Sequence, residues 1–209
     1  MKAGLKLKFS KVFRNNLFFG TESRSGAGSD LTQTQEIARH LPGLLKDLKV
    51  QSLLDLPCGD FNWMSKLDLN AIDYIGADLV PELIDNLNET YGDHSHKFIT
   101  INIVNEVPPQ TDAIFCRDLF VHLSNSEVAR AISNFRKSGA EYLITTTFPL
   151  RVRNLDLPLF SREVAWRTIN LELPPFNFPE PIHIINEACT EGEGLFSDKS
   201  VGVWRTQDL

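Results

Sequence analysis

The sequence of 209 residues has little cysteine, an excess of acid over base and no long apolar run. Its three cysteines, Cys58, Cys116 and Cys189, are too few for a disulfide framework, and no Cys-x-x-Cys pair indicates a zinc site. We interpret them as small buried residues and expect a reducing, cytoplasmic compartment. The absence of an 18-residue apolar run argues against a spanning helix, and the basic N-terminus lacks the apolar stretch of a signal peptide.

Basic residues are outnumbered, with 21 Lys and Arg against 27 Asp and Glu, so the formal net charge is −6. An acidic domain repels phosphate backbones, and we therefore expect no nucleic-acid partner. The segment 1–20 is the exception, because it contains basic residues and no acid. A hydrophobic share of 42% and a charged share of 23% are typical of a globular chain.

We divide the chain into an N-terminal arm with a lid loop, residues 1–30, and one domain, residues 31–209. Leu5, Leu7 and Phe9 alternate with lysines, which favours a short strand. The aromatic residues of the arm could lie on a membrane surface or a partner, but we favour packing on its own domain. The small residues and glycines of 23–29 predict a flexible loop that could close over a ligand.

Apolar strands and helices alternate along the rest of the chain. The expected helices cover 32–48, 81–91 and 124–138, and Ser124 with Glu127 forms a capping-box pattern. The expected strands cover 52–56, 74–79, 98–103, 113–116, 142–148, 182–186 and 200–205. This order predicts an α/β fold, a Rossmann-like, mostly parallel seven-stranded sheet with helices on both faces and an antiparallel edge strand.

Ligands of open α/β sheets bind at the carboxyl ends of the strands, near the switch in strand order. The first strand is followed by the turn 55–63 and the second ends at Asp78. Gly59 and Asp78 lie 19 residues apart, the spacing by which an acid reaches the ribose of a nucleotide held by the first turn.

The first turn is poorly suited to a dinucleotide. A pyrophosphate needs a Gly-x-Gly-x-x-Gly turn, whereas this turn has Gly59 alone, with Pro57 and Phe61 nearby. Two flanking carboxylates, Asp55 and Asp60, would repel a pyrophosphate. S-adenosylmethionine carries no phosphate and has a positive amino group and sulfonium, so the turn favours that cofactor over NAD.

The stretch Leu53-Leu-Asp-Leu-Pro-Cys-Gly-Asp60 resembles motif I of the class I S-adenosylmethionine-dependent methyltransferases, and Tyr74-Ile-Gly-Ala-Asp78 resembles their motif II. The resemblance extends over residues 32–209. It implies an enzyme that uses S-adenosylmethionine as methyl donor, releases S-adenosylhomocysteine and works by in-line displacement. The Asp-x-Pro-Cys-Gly-Asp variant is similar to a branch that modifies glycans or other small polar molecules, which implies O-methylation of a small-molecule or glycan acceptor.

By this resemblance, Gly59 lets the backbone approach the methionine part, Asp55 or Asp60 holds the amino group, and Asp78 accepts from the ribose hydroxyls. Asn102 stands where the family often has an acid that meets the adenine amine; an amide oxygen can accept the same bond. A role of Asn102 as a strand-end turn residue stays open. The full predicted cofactor-binding set is Asp55, Pro57, Gly59, Asp60, Trp63, Asp78, Leu79, Asn102, Ile103 and Arg117.

The segment 116–123 follows the fourth strand and is expected to face the acceptor. His122 is the candidate general base, because a neutral imidazole can remove a proton near pH 7. Asp118 could orient His122, take the proton itself or bind a metal. A packing role for His122 stays open.

The long segment before the last strands is where the family commonly builds its acceptor pocket. Aromatic rings beside Asn, Asp and Arg suit a hydroxylated substrate, and the predicted acceptor-binding residues are Asn154, Asp156, Trp166, Arg167 and Asn170. Asp118, Asn154 and Asp156 could supply hard oxygen ligands, but their spacing is not diagnostic and we predict no metal.

Two other functions are considered. An NAD-dependent epimerase or reductase predicts a Tyr-x-x-x-Lys pair, which none of Tyr74, Tyr91 and Tyr142 provides. A non-catalytic binding domain is the second alternative, and the basic aromatic arm supports it. Neither the acceptor nor the oligomeric state can be read from the sequence.

Overall fold

The computed structural model describes residues 2–157 and 165–209. In this part of the chain the helices are α1 Lys2–Arg14, α2 Leu31–Asp47, α3 Pro81–Tyr91 and α4 Asn125–Ser138. The strands are β1 Ser52–Asp55, β2 Asp73–Asp78, β3 His96–Thr100, β4 Ala113–Cys116, β5 Tyr142–Thr147, β6 His183–Asn186 and β7 Ser200–Arg205. Among these residues no helix is both long and apolar enough to cross a membrane.

The strands form one sheet in the order β3-β2-β1-β4-β5-β7-β6. The pairs from β3 to β5 are parallel, and β7 pairs antiparallel with both β5 and β6. The predicted fold class is confirmed, with β7 one place inside the edge strand β6. Chain order reverses between β1 and β4, and this switch point is where a doubly wound sheet opens a crevice.

The sheet is covered on both faces, and adjacent residues of β1 show why its strands are continuously apolar. Leu53 packs in a core with α2 and α3, whereas Leu54 packs in the opposite core with α4. Both side chains are fully buried. The apolar runs therefore fix a three-layer arrangement that aims the carboxyl ends of the parallel strands at one edge.

Most predicted boundaries are reproduced to within one or two residues, and β3 is the main exception. It ends at Thr100 instead of residue 103, because the chain turns there: the Glu106 N–H donates to the Asn102 carbonyl at 2.9 Å. The residues that were expected to complete the strand form the turn after it.

The prediction of a strand at Leu5–Phe9 is wrong, because this segment lies in α1. Leu7, the middle residue of the supposed alternation, is 69% exposed. The inward set is Leu5, Phe9, Val12 and Phe13, a helical stripe that packs on the two cores. Phe9, Phe13 and Phe18 of the arm thus pack on its own domain, as favoured from the sequence, whereas Phe19 is 81% exposed. The separation of the arm from residues 31–209 as a unit stays a prediction.

Helix α1 crosses the carboxyl edge of the sheet. At one end, the Arg14 guanidinium donates to the Glu82 carboxylate of α3 at 2.7 and 2.8 Å. Further back along the helix, the Phe9 ring lies 6.4 Å from that of His122, which follows β4. The helix therefore spans the crevice on the side away from the sheet.

Helix α4 begins with the predicted capping box. The Ser124 hydroxyl accepts from the Glu127 N–H at 3.4 Å, and the Glu127 carboxylate accepts from the Ser124 N–H at 2.9 Å. Two backbone donors at the start of the helix are satisfied by this exchange. The helix ends at Gly139, whose φ of 79° suits glycine.

We expect Ser124→Ala to lower the free energy of unfolding by about 1 kcal/mol, because it removes the side-chain half of the capping box. Urea denaturation followed by circular dichroism measures the change. Ser133→Ala, in the middle of the same helix and away from the cap, is the control and should change stability by no more than about 0.5 kcal/mol. Equal effects of the two substitutions would contradict this assignment of the cap.

Candidate active site

A cavity of about 450 Å³ lies at the carboxyl ends of β1, β2 and β4, beneath α1 and the loop 20–30, which we call the lid loop. This size falls in the range of ligand pockets, roughly 300–1,000 Å³. All ten predicted cofactor-binding residues line the cavity, and so do Asp118 and His122. The structure thus brings these residues together, and their individual roles stay predictions.

The turn after β1 is fixed to both neighbouring strands. The Leu56 N–H donates to the Phe115 carbonyl of β4 at 2.9 Å, and the Cys58 N–H donates to the Ala77 carbonyl of β2 at 2.8 Å. Gly59 has a φ of 53°, and a Cβ there would lie 2.2 Å from the Ser25 hydroxyl of the lid loop. Glycine is required because the backbone is left-handed and the lid loop touches it.

Two carboxyl groups face this turn, that of the buried Asp55 and that of the partly exposed Asp78. Asp55 accepts a hydrogen bond from the Tyr74 hydroxyl, and burial raises the pKa of Asp55 to about 7 although that bond lowers it in part. Burial likewise raises the pKa of Asp78 to about 6, while backbone N–H groups, including that of Val80 at 3.0 Å, oppose the shift. A cationic or hydroxyl-bearing ligand would stabilise the charged forms of both groups.

Asp60 has a different position, because the lid loop occupies both of its oxygens. Oδ1 accepts from the Ser23 hydroxyl at 2.8 Å, and Oδ2 accepts from the Arg24 N–H at 2.7 Å. Of the two acids considered for the amino group, Asp55 is therefore the better candidate. Asp60 fastens the lid loop to the first turn.

The turn after β3 supplies an apolar side of the cavity through Ile101, Ile103 and Val104. Between them, the Asn102 Oδ1 accepts from the Val104 N–H at 3.2 Å, so Asn102 does stabilise a strand-end turn. An amide oxygen has a second lone pair. The turn role and the predicted contact with an adenine amine are therefore compatible.

Four charged groups form what we call the ion cluster: Arg117, Asp118, Glu187 and Lys199. The Arg117 Nε and Nη2 donate to one Glu187 oxygen at 2.9 and 2.6 Å, and Nη2 also donates to the Gly28 carbonyl at 2.8 Å. Arg117, predicted to bind the cofactor, thus holds the lid loop and the end of β6 in place beside the cavity.

The other half of the ion cluster fixes Asp118. Its Oδ2 lies 2.6 Å from the Lys199 Nζ and 3.3 Å from an Arg117 nitrogen. Burial raises the pKa of Asp118, but these two positive charges outweigh burial and bring the pKa below its ordinary value. Such a carboxylate is a weak base, which disfavours the hypothesis that Asp118 takes the proton itself.

Sequence reasoning missed Glu187 and Lys199. Glu187 is 70 residues from Arg117, and Lys199 is 81 residues from Asp118. No local spacing links residues so far apart. The one available signal is that Glu187 directly follows β6 and Lys199 directly precedes β7, which runs in the opposite direction, so both residues lie at the same edge of the sheet.

His122 is oriented by a backbone carbonyl and not by Asp118. Its Nδ1 lies 2.9 Å from the Ala165 oxygen, so Nδ1 carries the proton and Nε2 is left as an acceptor. The Phe18 ring lies 5.3 Å away, and burial lowers the pKa of His122. The ring is therefore neutral near pH 7, the form that a general base needs.

Of the five predicted acceptor-binding residues, Trp166 alone is among the described residues that line the cavity. Its indole is 39% exposed and contacts the Phe196 ring at 4.8 Å and the Phe148 ring at 5.9 Å. Trp166 directly follows Ala165, whose carbonyl binds His122. The side chains of Trp166 and His122 therefore lie on the same side of the cavity.

The other four predicted acceptor contacts are instead occupied by backbone groups. Asn154 and Asn170 donate to the Asn170 and Arg151 carbonyls at 2.8 and 2.9 Å. Asp156 accepts from the Asn125 N–H at 2.8 Å, and Arg167 donates to the Leu123 carbonyl at 2.9 Å. Asn154 and Asn170 thus satisfy backbone groups of the irregular residues before β6 that the structure describes, and Asp156 and Arg167 fasten these residues to the chain at 123–125.

The residues considered as metal ligands are also engaged. Asp118 pairs with Lys199, while Asn154 and Asp156 bind backbone groups. Among the described residues, no group of three or more His, Cys, Asp or Glu side chains is arranged to hold a metal ion.

No protein-family model and no curated protein matches the sequence. Solved structures do match its fold. One is the methyltransferase domain of bacterial CtHen1-CN, 14% identical with a TM-score of 0.59, over 83% of this chain and 99% of that one. The chain has the fold of the class I S-adenosylmethionine-dependent methyltransferases.

Two further structures with this methyltransferase fold contain the cofactor or its product. Human N-acetylserotonin methyltransferase in complex with SAM is 10% identical with a TM-score of 0.61, over 94% of this chain and 58% of that one. Magnesium protoporphyrin IX methyltransferase from Synechocystis with bound SAH is 15% identical with a TM-score of 0.53, over 73% of this chain and 74% of that one. The fold implied by motifs I and II is confirmed.

We expect Asp55→Asn to flatten the pH dependence of stability. Below its ordinary pKa of about 3.9, Asp55 is protonated in both states. As the pH rises to about 7 the unfolded chain ionises while the folded one keeps the proton, so wild-type stability falls across this window. The pKa of Asp78 is also raised, so Asp78 lowers stability over the same pH window. The Asp55→Asn variant therefore keeps a smaller decrease of stability with pH.

Urea denaturation at pH 4.5 and 7.5 measures this slope. Asp85→Asn, on the exposed side of α3, is the matched control and should keep the wild-type slope. Parallel profiles for the wild type and Asp55→Asn would contradict the raised pKa.

Proposed function

We propose that this protein transfers the methyl group of S-adenosylmethionine to a hydroxyl of a small-molecule acceptor. The observation that carries the proposal is the convergence of Asp55, Gly59 and Asp78 at the switch point of a methyltransferase fold. A glycan hydroxyl and other small hydroxylated acceptors are both compatible with this proposal.

The residues present fit S-adenosylmethionine on chemical grounds. Asp78 is a partly exposed acceptor at the end of β2, suited to a ribose diol, and Asp55 is a buried acid suited to a positive amino group. The left-handed turn at Gly59 allows close approach of backbone. Ile101 and Ile103 offer apolar surface to a flat base.

NAD is disfavoured by the same groups. Two carboxyl groups, Asp55 and Asp60, flank the turn where a pyrophosphate would lie, and like charges repel strongly in a partly buried site. The support for a non-catalytic binding domain is also weaker, because the aromatic residues of α1 pack on the domain itself.

The bound cofactor supplies a methyl group that the sulfonium has already activated. The protein must align the acceptor and exclude water, which together account for roughly 7–11 kcal/mol in well-oriented reactions. Helix α1 and the lid loop cover the cavity, with Arg117 holding Gly28 and Asp60 holding Ser23 and Arg24. His122 accepts the hydroxyl proton at Nε2.

Calorimetry with S-adenosylhomocysteine tests cofactor binding. We expect wild-type protein to bind it and to show no heat with NADH, and Asp78→Ala to abolish binding because the acceptor for the ribose is lost. Asp73→Ala, at the exposed start of β2, should bind as wild type. A wild-type protein that binds NADH, or binds neither ligand, would exclude the proposal.

We expect His122→Ala to lower turnover by roughly 10²–10⁴-fold, the usual contribution of a general base, with unchanged affinity for S-adenosylhomocysteine. Because burial puts the pKa of His122 below its ordinary value of about 6.5, wild-type activity should rise with pH below that value and be level from pH 7 to 8.

Methyl transfer from labelled S-adenosylmethionine to a panel of phenols and methyl glycosides gives the readout. His40→Ala, on the exposed side of α2, is the control and should keep the wild-type rate and pH profile. Unchanged turnover in His122→Ala would show that another group takes the proton.

A further inference from the structure

The acceptor end of the cavity has a wall of rings, which we call the aromatic wall: Phe18, His122, Trp166 and Phe196. All four line the cavity. The rings of Phe18 and His122 are 5.3 Å apart, and those of Trp166 and Phe196 are 4.8 Å apart. The Ala165 carbonyl binds His122, and Trp166 is the next residue in the chain. The Phe18–His122 pair and the Trp166–Phe196 pair are therefore connected.

The wall is rigid where it meets the domain. Trp166 packs edge-on against Phe148, which is fully buried at the end of β5. The Arg167 N–H donates to the Val121 carbonyl at 3.1 Å, which fixes the segment beside His122. Trp166 therefore presents a fixed, partly exposed indole to the cavity.

Three of the polar side chains that line the cavity beside this wall already have protein partners. Asp118 binds Lys199, Arg117 binds Glu187 and Gly28, and His122 uses Nδ1 on Ala165. A sugar carries several hydroxyls, and each one buried without a partner costs free energy. A flat ring with one hydroxyl needs a single proton acceptor, and the Nε2 of His122 provides one.

We infer that the acceptor is a phenol, a planar aromatic molecule whose ring lies against the aromatic wall and whose hydroxyl meets His122. Aromatic rings prefer offset or edge-to-face contact with other rings, and Trp166 and Phe196 offer such faces. This inference rests on the proposed function and narrows its acceptor from small hydroxylated molecules to phenols.

Methyl transfer to the phenol forms one carbon–oxygen bond and breaks one carbon–sulfur bond. The phenolic O–H bond breaks and its proton goes to the His122 Nε2. The phenolate oxygen forms a bond to the methyl carbon of S-adenosylmethionine, while the carbon–sulfur bond breaks and its electron pair stays on sulfur. The products are an aryl methyl ether and S-adenosylhomocysteine, and the proton leaves His122 to solvent.

Saturation-transfer NMR on the full chain, saturated with S-adenosylhomocysteine, tests the inference. The probes are p-cresol and 7-hydroxycoumarin, with methyl α-glucoside as the sugar. We expect both phenols to bind, the glucoside not to bind, and Trp166→Ala to weaken the phenols by about 10-fold or more. Trp166→Phe should restore most of that affinity because it keeps a ring in the wall.

Two controls separate the possible failures. Ile184→Ala on β6 is 43% exposed, close to the exposure of Trp166, and should bind the phenols as wild type. Phenols that fail to bind, bind equally well to Trp166→Ala, or are outcompeted by the glucoside overturn the inference while the proposed function stands. A wild-type protein that does not bind S-adenosylhomocysteine removes the proposed function and this inference together.

Discussion

The buried ion pair between Arg117 and Glu187 is the interaction on which the geometry of the cavity depends. The two side chains are almost fully buried and joined at 2.6 Å. They connect the carboxyl end of β4 with that of β6, while Arg117 also holds Gly28. Removing one partner of such a pair leaves an uncompensated buried charge, which typically costs about 3–5 kcal/mol. The strands, the lid loop and Asp118 therefore keep their places together.

Much of the candidate site was predictable because parallel strands put their carboxyl ends at one edge. Asp55 and Asp78 end β1 and β2, and His122 follows β4, so their places at the carboxyl ends of strands were enough to predict that they lie around one cavity. What could not be predicted is which polar groups remain available. Asp60 and Arg117 have the right position, yet their hydrogen bonds go to the lid loop and β6, whose approach no local pattern encodes.

One element of the fold was misread for a physical reason. In α1 the alternating leucines suggested a strand, but Leu5 and Phe9 are also four residues apart and so lie on one helical face, with the exposed Leu7 between them. Asn154 and Asn170 were predicted to contact the acceptor, and that role stays a prediction. In the structure their side chains bind carbonyl and N–H groups of the irregular backbone before β6, which must be satisfied and which no local pattern in the sequence indicates.

The inner position of β7 has a consequence for how the molecule assembles. In the described sheet, β6 pairs with β7 alone, and β7 joins it to β5. The edge strand is thus joined to the sheet only through a strand that follows it in sequence, and the β5–β7 pairing closes a loop of more than fifty residues, from Thr147 to Ser200. Contacts of such separation slow folding, because the entropy of closing the loop is lost before the contacts stabilise the chain. Lys199 and Glu187 flank these strands, so the charges beside the cavity come together only when β6 and β7 have joined the sheet.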